Sequence, residues 1–102
     1  MASPPFTIRS VQAQCYRYPL STPVVTSFGR MLNRPAVFVR IEETDGYAGW
    51  GEVSSNFPSA GAEHRARLVN EVLAPAIRGG TAAEPSDIFE RLTQGTSVLA
   101  LQ

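Results

Sequence analysis

The stretch "RIEETDGYAGWGEVSS", Arg40–Ser55, decides the fold. Just before and into it, Val37, Val39 and Ile41 alternate with Phe38 and Arg40, the two-residue period of a strand with one face buried. Asp45-Gly46 supplies the positive φ angles of a tight hairpin turn, and the return strand runs from about Tyr47 to Val53. A hairpin needs no more glycine than that, yet Gly49 and Gly51 flank Trp50. Both project away from the tryptophan, so they leave one strand face bare and open to close approach by another element. "GYAGWG" is not a dinucleotide fingerprint, because no helix follows it to meet a pyrophosphate.

Upstream, Phe6 to Tyr18 reads as a strand whose phase slips near Ser10, the mark of a bulge or a change of face. Pro19 is expected to end it. Pro19 to Pro35, with its prolines, Gly29 and Asn33, then reads as a long loop. Downstream, Ser54 to Ala62 forms a second loop of small and polar residues. After it the period changes: Leu68, Val69, Val72, Leu73 and Ala76 fit an amphipathic helix from about Ala62 to Ile77, bent by Pro75 and ended by Gly79-Gly80. A second helix starts near Pro85 with Ile88, Phe89 and Leu92 as its buried stripe. The expected class is α+β, a three-stranded antiparallel sheet followed by a helical segment. The apolar tail "VLALQ", Val98–Gln102, ends without a cap.

Composition narrows the function. A chain of 102 residues is one small domain at most. Nine arginines balance nine acids without clustering, which argues against nucleic acid and anionic membrane as partners. There is no lysine, so a lysine base, a Schiff base or a P-loop cannot be housed here. One cysteine, Cys15, allows no internal disulfide; with no apolar leader or membrane span, a cytoplasmic location is expected.

Few residues suggest chemistry of their own. His64, the single histidine, has no nucleophile near it in sequence and reads as a surface residue. Cys15, inside a strand, reads as a small buried hydrophobe. The acids show no convergence fit for a metal. Glu52 has two readings: an edge-strand charge, or a carboxylate held at the end of the sheet within reach of a substrate or a further domain.

The order of "YPL" (Tyr18–Leu20), "TSFG" (Thr26–Gly29), "VFVRIEETDGYAGWGE" (Val37–Glu52) and "LAPAIRGG" (Leu73–Gly80) resembles the N-terminal capping domain of the enolase superfamily, of the mandelate racemase and muconate lactonizing enzyme type. The resemblance implies that residues 1–102 are a truncated capping domain without its TIM barrel, inactive alone. In an intact parent enzyme it implies Mg²⁺-dependent abstraction of the proton α to a small carboxylate substrate, giving racemisation, cycloisomerisation or dehydration. The metal ligands and bases would lie in the barrel, with no catalytic or metal residue in this chain. The cap's two loops, Pro19 to Pro35 and Val53 to Ala62, would close over the barrel mouth, with Thr26, Phe28, Arg30 and Phe57 facing the substrate. Loss of the barrel would leave Phe38, Trp50 and the apolar tail exposed and prone to self-association. The alternative is a stand-alone binding or oligomerisation domain that uses the glycine-bearing face.

Overall fold

The computed structural model describes residues 5–95. Its elements run β1 (Phe6–Thr26), β2 (Gly29–Glu43), β3 (Ala48–Val53), α1 (Gly61–Leu68), a π-helical turn (Val69–Leu73), α2 (Ala74–Ile77), β4 (Thr81–Ala82) and α3 (Pro85–Gly95). The sheet is antiparallel with order β3-β2-β1-β4, so it has four strands rather than the expected three. β4 is only two residues, Thr81 and Ala82 against Thr7 and Phe6, too short to show a period in sequence. The tail Val98–Gln102 lies outside the described residues.

The Asp45-Gly46 turn forms, in a wider version than expected. Glu43 donates its N–H to Tyr47 O at 2.9 Å and Gly46 donates to Glu43 O at 3.0 Å. Only Gly46 takes a positive φ, +94°, which makes this a three-residue hairpin loop.

The larger correction concerns Pro19 to Pro35. It is a two-stranded ribbon, not a loop: β1 continues to Thr26, turns at Ser27-Phe28, and returns along β2 from Gly29. The prolines are tolerated because of where their missing N–H groups would point. Register is continuous from Ser10 to Pro19, and Ala13 turns its N–H and C=O away from β2 toward Asn70. Pro19 has the same parity as Ala13, so its nitrogen faces the open edge of β1 and no ladder bond is lost. Pro35 pairs with Arg17, and its nitrogen faces the side of β3, beyond the last β3 partner at Val37–Val53. Pro23 sits where the register breaks between Pro19 and Val24. The expected slip near Ser10 is present as a second break, between Ile8 and Ser10.

The helical segment covers one sheet face. Ile8, Val11, Ala13 and Val37 meet Ala62, Ala66, Val69, Ala74 and Ile77 in the core, with Ile8 and Val37 at 0% exposure. The helical stripe is not the one the sequence period suggests. Pro75 has no N–H to close the turn before it, and Ala74 N–H reaches back to Val69 O, an i→i−5 bond. The widened turn advances the buried phase by one residue, so Ala74 and Ile77 are buried while Val72 and Ala76 are exposed. It also sets Asn70 against β1, where its amide accepts from Ala13 N–H at 2.8 Å and donates to Ala13 O at 2.9 Å. A side chain thus stands in for a neighbouring strand.

Gly79, at φ +82°, ends the segment, donating to Ile8 O at 2.7 Å while Ile8 donates to Gly80 O at 3.0 Å. α3 starts at Pro85 as expected, with Ile88 and Leu92 half-buried, but Phe89 is exposed rather than part of the stripe.

Candidate functional site

At the far end of the ribbon, the turn is shaped by Thr26. Its hydroxyl accepts from Phe28 N–H at 3.1 Å and donates to Gly29 O at 3.3 Å, while Gly29 takes φ +139°. This leaves Phe28 83% exposed at the tip, yet its ring centroid lies 6.1 Å from that of Phe57 in the second loop. The two irregular segments singled out in sequence therefore meet. Beneath the contact is a pocket of about 140 Å³ whose lining includes Arg17, Arg30, Met31, Asn33, Asn56 and Phe57.

Of the four expected site residues, Arg30 and Phe57 line this pocket, Phe28 touches Phe57 without lining it, and Thr26 builds the turn without lining it. Arg17, Asn33 and Asn56 were missed. Arg17 lay in a segment that read simply as strand, and only the ribbon's register places it on the same face as Asn33.

Below the pocket is a dense polar node. Arg17 donates from Nε to Glu63 Oε1 and from Nη2 to Glu63 Oε2, each at 2.8 Å. Its Nη1 donates to Asn33 Oδ1 at 2.7 Å and its Nη2 also to Ser59 O at 2.5 Å. Glu63 stands in the first turn of α1, where a negative charge complements the helix dipole. The Arg17 guanidinium holds the Glu63 carboxyl below the usual glutamate range. Cys15 donates its thiol to Glu63 Oε2 at 3.4 Å, and burial, helped by that carboxylate, pushes the thiol up. Cys15 is half-buried against the edge of the core rather than fully buried as expected. His64 is exposed. The cis Phe57–Pro58 bond lies in the loop the node holds, and Arg65 Nη2 adds a bond to Phe57 O at 3.3 Å.

Glu52 lies on the outer sheet face opposite Phe38, where it borders a polar concavity with Pro35, Ser54, Ser55 and Asn56. Pro35 and Asn56 line both this concavity and the pocket, so Glu52 stands at the end of the sheet beside the second loop.

The glycine pair behaves otherwise than expected. Gly49 and Gly51 sit opposite Ile41 and Val39 on the helix-bearing face. A Cβ added at either would meet nothing within 4 Å, so among the described residues nothing approaches their backbone closely. They floor a shallow apolar concavity with Val39, Ile41 and Trp50, and Gly49 also borders a groove lined by Phe6, Ile41, Tyr47, Pro85 and Ile88. On the opposite face, Phe38 and Trp50 are exposed, Trp50 to 68%.

No three His, Cys, Asp or Glu side chains converge among the described residues, so these residues do not fit a divalent cation. No helix among them is long and apolar enough to cross a membrane.

A sheet with helices on one face and two segments converging at one end matches the architecture of an N-terminal capping domain. The family described as "Mandelate racemase / muconate lactonizing enzyme, N-terminal domain" matches residues 8–100, and the chain belongs to it. It is similar to the crystal structure of a mandelate racemase/muconate lactonizing enzyme from Bordetella bronchiseptica RB50, with 44% identity and a TM-score of 0.80 over 97% of this chain and 24% of that one. A racemase from Streptomyces coelicolor A3(2) with bound magnesium gives 26% identity and a TM-score of 0.77, over 88% of this chain and 25% of that one. A muconate lactonizing enzyme from Pseudomonas fluorescens, complexed with muconolactone, shares the fold at 23% identity and a TM-score of 0.77, over 92% of this chain and 26% of that one. The chain thus spans about a quarter of the length of these relatives. A comparison with curated proteins gave no match.

Proposed function

We propose that this domain is the substrate-specificity cap of a cytoplasmic, Mg²⁺-dependent enzyme that removes the proton α to a carboxylate. In that enzyme the cap sits over a separate catalytic barrel domain. A metal there would be held by the barrel's residues and would supply Lewis-acid chemistry, with no ligand from the described residues of this chain. This chain's residues act earlier and around the edge. Arg30 pairs with a carboxylate or hydroxyl of the substrate, the Phe28 and Phe57 rings wall the pocket against water, and Thr26 holds the turn that aims them. The observation that carries the proposal is the meeting of the ribbon tip and the second loop at Phe28–Phe57, over a pocket bearing Arg30.

The test is α-proton exchange. The barrel-bearing protein is incubated in D₂O with Mg²⁺ and a panel of 2-substituted carboxylates, and deuterium incorporation is followed by NMR. Arg30→Ala and Phe28→Ala should change which acids exchange, or raise their KM, with the melting temperature unchanged. Exchange identical to wild type for every acid would remove the cap loops from the substrate site.

A second reading, a binding or self-association domain, draws on the open apolar groove at Phe6, Ile41, Gly49 and Ile88 and on exposed Trp50. Sedimentation of the 102-residue chain distinguishes it: one defined oligomer favours this reading, and the open-ended self-association expected of a cap stripped of its barrel opposes it.

A further inference from the structure

The pocket's two walls come from segments far apart in sequence, and something has to set the distance between them. The Phe28–Phe57 contact does not suffice alone, because Phe28 is mostly exposed and the ring contact buries little area. The second loop runs from Ser54 to Ala60 with little burial: only Ser55 is buried and Phe57 half-buried. Among the described residues, side-chain bonds to its backbone come from Arg65 at Phe57 O and from Arg17 at Ser59 O. Arg65 belongs to α1 and ties the loop only to its own helix. Arg17 belongs to β1 and reaches three places at once: Asn33 on the returning arm of the ribbon, Ser59 in the loop, and Glu63 at the start of the helix.

We propose that Arg17 is the positioning residue of the site, the clamp that sets the second loop against the ribbon and so fixes the width of the pocket between Arg30 and Phe57. The role requires an arginine. Its planar fork directs Nε and Nη2 to one carboxylate while Nη1 and the second Nη2 hydrogen reach sideways to Asn33 and Ser59. A lysine keeps the charge and most of the stem, but a single ammonium cannot hold these acceptors in a plane. Glu63 completes the clamp by fixing the guanidinium to the first turn of α1, and the core anchors that helix through Ala62 and Ala66. Arg17 itself lines the pocket, so its position also determines the pocket floor. This inference deepens the substrate-cap reading and rests on it for its meaning, but it is tested independently.

The experiment is amide hydrogen exchange on the whole chain, comparing wild type with Arg17→Lys. The amides of Gly61 and His64, which donate to Pro58 O and Ala60 O of the loop, should exchange about tenfold faster in the variant. Those of Val11 and Val37, in the core, should keep their rates. Loop rates unchanged in Arg17→Lys would overturn the proposal, because charge alone would then suffice. Loop and core rates rising by the same factor would overturn it too, since Arg17 would then support only global stability. Should Arg17→Lys fail to fold, Glu63→Gln reads the same amides. It leaves the contacts to Asn33 and Ser59, so the expected rise is about threefold, and no rise contradicts the clamp. Failure of the substrate reading looks different: deuterium incorporation would ignore the loops while these amides still respond to Arg17.

Discussion

The two ends of this sheet are held by different forces. At the base, near Ile8, Val11 and Val37, the strands are pinned by apolar burial beneath the helical segment. At the distal end, from Tyr18 to Arg34, the ribbon is held by backbone ladder bonds, the Thr26 turn and the Arg17 node, while Tyr18, Val25, Phe28 and Leu32 are exposed. Burial is non-directional and strong; hydrogen bonds at an exposed site contribute little net stability but fix geometry. The distal end can therefore vary in sequence without endangering the fold, which the proposed substrate-selecting role would require.

That contrast can be broken by substitution, starting where the effect is largest. Ile8→Ala, at a fully buried position, should cost about 3 kcal/mol in urea unfolding, a large fraction of a small domain's margin. Asn70→Ala, which strips the surrogate strand from Ala13, should cost about 1 kcal/mol. Asn70→Asp should also destabilise, because a carboxylate cannot donate to Ala13 O. The node adds a pH-dependent contribution. Glu63 has a depressed folded-state value, so its stabilisation is present at neutral pH and is lost as pH falls below the ordinary glutamate range, about 4.3, and through the folded value. The gap in unfolding free energy between wild type and Glu63→Gln should accordingly be present at pH 7 and close at low pH. Phe28→Ala, at the exposed tip, should stay within about 0.5 kcal/mol of wild type. A large loss there would mean that the tip is a structural part of the fold.

Legibility followed the same divide. The Val37–Ile41 alternation, Gly46 and the start of α3 at Pro85 are local signals, and the structure carries each of them. The ribbon was illegible because Pro19, Pro23 and Pro35 mimic a loop unless the direction of each nitrogen is known, and that depends on a register set by the partner strand. The helical stripe was misread at Val72 and Ala76 because Pro75 widens the turn before it. β4 was invisible at two residues, and it exists because Gly79 and Gly80 bring the chain back to Ile8. Within the site, Thr26, Phe28, Arg30 and Phe57 were expected only through the resemblance, which assigns substrate loops to the two irregular segments. Arg17 and Asn33 were not expected, since their importance arises only when a face assigned by strand pairing meets a helix start from elsewhere in the sequence.

The central claim is that two segments distant in sequence meet at one end of the sheet and form a single site. Nuclear Overhauser contacts between the Phe28 and Phe57 rings test it most directly. With ring centroids 6.1 Å apart, cross-peaks between the two side chains should be observed in the folded chain at neutral pH. Their absence, with the core contacts of Ile8 and Val37 intact, would mean that the ribbon tip and the second loop do not share a pocket, and the proposed substrate site would fall with them.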